Sequence, residues 1–153
     1  MDVLALATLV AHLHEGAADA SDGAPGDPQR SLALGRIALA GRRYEEAVRH
    51  LERAVPALQR PAAREEAVHD LALAYRVTGQ RGRAVPHWQW LAEHSAAHGA
   101  WARRQLAIYF EHHARDLGRA LAVVEETPHQ RDALEDWARR RARLIRKIER
   151  GHA

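Results

Sequence analysis

Apolar residues recur every three or four positions through most of this chain, and Gly, Pro or short polar clusters interrupt them at intervals. That pattern predicts a series of amphipathic helices. The first is expected from Asp2 to about His14, with Val3, Leu4, Leu6, Leu9, Val10 and Leu13 as its stripe. From Gly16 to Gln29 the apolar content falls, and Gly16, Gly23, Pro25, Gly26 and Pro28 stand among small and acidic side chains, as in a flexible linker. Further helices are expected over about 29–40, 44–58, 61–77, 82–94, 99–113, 117–126 and 130–150. Gly41 and Gly79 end two of them, Pro61 opens one, and Pro86 falls near the first turn of another. Thr127-Pro128 breaks the chain before the last helix, whose apolar face is expected to be Leu134, Trp137, Ala138, Leu144, Ile145 and Ile148.

Within this series a motif repeats. Leu34-Gly35, Leu71-Ala72 and Leu106-Ala107 each lie in the first helix of a pair. Tyr44-Glu45-Glu46-Ala47, Arg81-Gly82-Arg83-Ala84 and Leu117-Gly118-Arg119-Ala120 each open the second, and Leu51, Trp88 and Val124 follow one turn later. The alanines are 37 and 36 residues apart. Small residues on both helices let two backbones approach, and the large residue fills the space between neighbouring pairs. The expected fold is therefore all-α: three stacked helical hairpins, with a leading helix at 1–15, a linker at 16–29, and a repeat domain at 30–153 closed by a capping helix at 129–150.

The spacing resembles the tetratricopeptide repeat. Leu71-Ala72, Tyr75, Gly79, Ala84 and Trp88 carry most of the likeness, while the first repeat reads as one residue short at its turn and the third as one residue long before Ala120. A sharper resemblance lies in Leu106-Ala107-Ile108-Tyr109-Phe110-Glu111-His112-His113-Ala114-Arg115-Asp116 with Ala120-Leu121. It is similar to a signature in the C-terminal repeat region of bacterial ribonuclease-H-like exonuclease-domain proteins. The Gly79–Trp88 phrase and the basic run around Leu144 are similar to the same region, and residues 2–13 to the last helix of the nuclease domain. On that resemblance Asp2 would be the family's final metal-binding aspartate. The strand bearing the other acids is absent, however, and two-metal hydrolysis needs several carboxylates around ions about 3.5–4 Å apart. The resemblance thus implies a non-catalytic C-terminal part of a nuclease protein, and within this chain Asp2 is expected to serve as the N-cap of the first helix.

Composition supports helix: 32 alanines, with aromatic and β-branched residues scarce. No apolar run reaches the roughly 18 residues of a membrane span, so a cytoplasmic protein without membrane contact is expected. Cysteine is absent, which excludes thiol chemistry and disulfides. The 23 basic and 20 acidic residues leave a net +3, and its location matters more than its size. Residues 1–128 hold 15 basic and 16 acidic side chains, and residues 129–153 hold 8 and 4. All the basic residues except Lys147 are arginine.

Eleven histidines raise the question of metal. His12/His14, His94/His98 and His112/His113 each lack a third ligand at useful spacing, so no metal and no cofactor are expected. Ser21, Ser31 and Ser95 lie outside any nucleophile elbow, and no catalytic residue is assigned. The inner face of a helical stack is lined mainly by each pair's first helix. That places Arg36, His69, Arg76, Trp101, Arg104, Glu111 and His112 on a groove suited to an acidic or extended peptide. The expected function is a scaffold for a protein or peptide partner, and the leading helix offers a surface for a second copy. The alternative is an accessory nucleic-acid-binding module. In it Arg139, Arg140, Arg143, Arg146, Lys147 and Arg150 contact phosphate, where the ordinary role of such a run is a solvated outer face.

Overall fold

The computed structural model describes residues 27–127 and 134–151. The leading helix expected at 1–15, Asp2 with it, and the linker up to residue 26 lie outside the described residues. Helix α1 spans Pro28–Ala40. It begins inside the stretch read as linker, because Asp27 caps it: the Asp27 carboxylate accepts from the backbone N–H of Gln29 at 3.1 Å and of Arg30 at 3.3 Å. Pro28 then occupies a first-turn position where no N–H is needed. Helix α2 spans Tyr44–Ala54 and tightens into a 3-10 turn at Val55–Ala57, where Pro56 cannot donate an α-helical bond. Helices α3 (Pro61–Val77), α4 (Arg81–His94), α5 (Gly99–His112), α6 (Leu117–Glu126) and α7 (Leu134–Gly151) follow. Pro86 is the sixth residue of α4, which runs through it. The described residues contain no strand, and the fold is all-α.

Chain contacts divide between Ala84 and Val85 into two compact units. In the first, α1 lies along α2, and α2 packs on α3. Leu32, Val48, Leu51, Val68, Leu71 and Tyr75 form its core. Gly35 is needed at the α1–α2 crossing, since a Cβ there would lie 2.7 Å from Leu51 Cγ. Leu51 therefore fills the space within its own pair. The Tyr75 hydroxyl donates to Glu52 at 2.5 Å, and Arg83 donates to the same carboxylate oxygen at 2.6 Å while stacking over the Tyr75 ring. Burial, then the hydrogen bond to and the charge of Glu52, push the Tyr75 phenol from 10.0 to about 12, with Arg83 opposing.

In the second unit, α5 packs on α6 and α6 on α7. Trp88, Leu91, Phe110, Val124 and Leu144 are its large buried residues. Arg119 caps the Phe110 ring at 4.2 Å, and the Asp116 carboxylate caps α6 by accepting from the Arg119 N–H at 2.9 Å.

The backbone carries the period that the side chains predicted. Among the described residues, positive φ occurs at Arg42 (57°), Gly79 (78°) and Arg115 (55°). Each stands five positions before one of the buried alanines Ala47, Ala84 and Ala120. The first hairpin is not short relative to the second, because the left-handed residue follows Gly35 and Ala72 by the same seven positions. The third does carry its extra residue, with Arg115 eight positions after Ala107.

Candidate functional site: an arginine and tryptophan cleft over a buried glutamate

Of the side chains expected on one groove, Arg36, His69 and Arg76 belong to the first unit. Arg36 on α1 pairs with Asp70 on α3 at 3.1 Å, and His69 Nδ1 lies 3.7 Å from the same carboxylate. Arg76 is half-buried, with its Nε enclosed. Trp101, Arg104, Glu111 and His112 lie on α5 in the second unit.

Glu111 does not line a groove. Its side chain is 0% exposed. It stands four residues after Ala107, so helical periodicity puts both on the inner face of α5. A buried carboxylate must be paired or protonated, and α7 supplies the partners. Arg143 forks onto it, Nε to Oε1 at 3.0 Å and Nη2 to Oε2 at 2.9 Å. Arg140 donates to Oε2 at 3.0 Å and Lys147 to Oε1 at 2.8 Å. His112, itself exposed, approaches Oε2 at 3.5 Å.

Burial pushes the Glu111 carboxyl upward. The hydrogen bonds from Arg143 and Lys147 and the charges of Arg143 and His112 outweigh it, and the pKa falls from 4.5 to about 2. Glu111 is therefore ionised throughout the physiological range. The same contacts act on the cations. Burial lowers the Arg140 pKa, and the hydrogen bond to Glu111 raises that of Arg143.

These contacts correct the reading of α7 as an apolar inner face with a free basic outer one. Arg140, Arg143 and Lys147 turn toward Glu111, while Ala138 is exposed and Ile145 and Ile148 are only half-buried. The stripe that faces inward is Trp137, Arg140, Leu144 and Lys147, at helical i, i+3, i+7, i+10 spacing. Arg146 and Arg150 are exposed. Arg139 pairs with Glu135 at 3.2 Å and Asp136 at 3.4 Å within its own helix.

Above the buried carboxylate, α5 and α7 enclose a cleft of about 490 Å³. Trp101 and Arg104 line it from α5, and Trp137, Arg139, Arg140 and Arg143 from α7. Two sets of residues assigned to different roles, groove and phosphate contact, thus meet in one place. Trp137, expected only as packing, was the missing member; its position three residues before Arg140 on the same helix face was the available signal. Among the described residues, four arginines face one lining carboxylate, Asp136, and Glu111 neutralises part of the rest from behind. A guanidinium has five N–H donors. Arg140 spends one on Glu111 and Arg143 two, so both retain donors while held in place. Chemically the site can bind an anion and stack a flat ring. Among the described residues, no group of three His, Asp or Glu side chains could hold a metal ion, and no helix is long and apolar enough to cross a membrane.

No family model matches the chain. No solved structure matches it. Among curated proteins it is 30% identical over 128 residues to a Bacillus subtilis (strain 168) protein described as "Uncharacterized protein YprB". The alignment takes in 83% of this chain but 30% of that protein, so the chain spans less than a third of that relative's length.

Proposed function

We propose that this chain is a non-catalytic, tetratricopeptide-like scaffold that binds a protein or peptide partner, and that it is the C-terminal region of a ribonuclease-H-like nuclease protein. The observation that carries the repeat reading is the recurrence of one local structure. A left-handed residue at 42, 79 and 115 is followed by a fully buried alanine at 47, 84 and 120 and a large buried residue at 51, 88 and 124. Hairpins built to one plan bury their faces on their neighbours, and the first helices are left to bind. Arg36 and Arg76 in the first unit are the cations that would meet an acidic, extended segment. The chain spans under a third of its relative's length, which agrees with a place in a longer protein; the nuclease context rests on the sequence resemblance.

Two experiments test the two halves. Peptides selected by display against the chain should be acidic, and should lose at least tenfold in affinity to the Arg36→Glu/Arg76→Glu variant. Unchanged affinity removes the scaffold groove. For the nuclease context, the reading frame upstream of Met1 should encode the carboxylate-bearing strands of a nuclease domain. A frame without them removes that half.

A further inference from the structure

We propose that the cleft between α5 and α7 is a binding site for an unpaired nucleobase with its adjoining phosphate. Its volume of about 490 Å³ falls within the range of small-ligand clefts, roughly 300–1,000 Å³. Its lining combines two chemistries that one such ligand needs. Trp101 and Trp137 offer indole surface from opposite walls, and both are half-buried. Arg104, Arg140 and Arg143 offer forked donors that match a phosphate's oxygens. Base stacking on aromatic side chains beside a basic track is the general means of holding single strands.

The polar geometry is prepared before any ligand arrives. Glu111 is fully buried and takes three donors from Arg140 and Arg143, which pins both guanidinium planes. Their remaining N–H groups need not be ordered at the moment of binding, and that saving favours affinity. Arg104 has no carboxylate partner among the described residues and lies close enough to Arg140 to lower its pKa by like charge. Asp136, the acid lining the cleft among the described residues, pairs with Arg139 and not with these two cations, so an anion relieves them. An acidic peptide would satisfy the charge without drawing on the indole face of Trp137, so the aromatic lining decides for the base. The cleft lies within the second unit, and it stands whether or not the hairpins act as a peptide scaffold.

The full chain is titrated with fluorescein-labelled oligo(dT) and oligo(U) of twelve residues, with unlabelled UMP as competitor, and with duplex DNA and poly-glutamate as controls. Single strands are expected to bind with quenching of tryptophan fluorescence and with affinity falling as salt rises. The Trp137→Leu variant should lose roughly tenfold in affinity with unchanged circular dichroism. The Arg104→Gln variant should reduce the slope of log affinity against log salt by about one. UMP displacing the strand at equal affinity assigns the site to a free nucleotide; a far tighter strand assigns it to single-stranded nucleic acid, and both uphold the proposal. It is overturned by any of three results: no binding of strand or UMP, poly-glutamate or duplex binding as tightly as the single strand, or full affinity in folded Trp137→Leu. Loss of peptide binding in Arg36→Glu/Arg76→Glu leaves this outcome untouched, so the two functions fail separately.

Discussion

Replacing Glu111 by glutamine removes one negative charge from beneath three cations, and the structure sets how much that matters. In the folded chain the carboxyl titrates at about 2 against an ordinary 4.5. At about 1.36 kcal/mol per pH unit, that gap corresponds to about 3 kcal/mol of stabilisation at neutral pH. The folded protein binds this proton more weakly than the unfolded chain. The contribution is therefore complete above pH 4.5 and lost as pH falls through about 2. Breaking a fully buried ion pair costs about 3–5 kcal/mol. The lower end applies here, because Arg143 and Lys147 are 43% and 41% exposed and recover water once released. Glu111→Gln should thus lose about 3 kcal/mol at pH 7, or about 6–12 °C in Tm for a chain of this size. Urea unfolding of both proteins from pH 7 to pH 2.5 supplies the check. The difference in unfolding free energy should shrink steadily below pH 4.5. A difference that stays constant down to pH 2.5, or no difference at pH 7, would refute the assignment of Glu111 as the buried anchor of α7.

Three further outcomes follow from the packing. Gly35→Ala places a Cβ 2.7 Å from the fully buried Leu51 and should cost about 1–3 kcal/mol in thermal or urea unfolding. The three left-handed positions should respond with opposite signs. Gly79→Ala should destabilise by about 1–2 kcal/mol, whereas Arg42→Gly and Arg115→Gly should each be neutral or stabilising by up to about 1 kcal/mol. Tyr75 should titrate near 12 by ultraviolet absorbance. Its folded pKa is raised, so its contribution is full below pH 10 and lost as pH rises through about 12, and Tyr75→Phe should flatten stability across that window.

Periodicity located the helices well because each residue's burial depends on its own helix. The α3 and α6 boundaries fall where Pro61, Gly79 and Thr127 place them. The errors arise where a distant partner decides. Asp27 and Pro28 are linker-like in composition, yet their order, cap then proline, starts α1. Glu111 looked like a groove residue because carboxylates are seldom buried, and only the arginines of α7, 29 and 32 positions away, make its burial tolerable. Arg140 and Arg143 were read as outward for the same reason in reverse. The cleft was legible in pieces, since Trp101, Arg104 and the α7 arginines were singled out, but its assembly depends on α7 returning to α5.

Stability alone gives a poor reason for that assembly. A well-packed apolar cluster of similar volume is commonly as stable as a buried ion pair or more so, by about 1–4 kcal/mol. A capping helix that needed only to close the second unit could meet it with leucine at 111, 140 and 143. The chain instead encloses a carboxylate and spends two arginines and a lysine to neutralise it. What this arrangement supplies, and leucine cannot, is a pair of guanidinium groups fixed in position with donors to spare, next to two tryptophans. Arginine serves there where lysine would not, because its planar fork can face the glutamate with one edge and a ligand with another. The buried acid is then explained as the rigid mount of a binding surface, with the anchoring of α7 on α5 as its second duty.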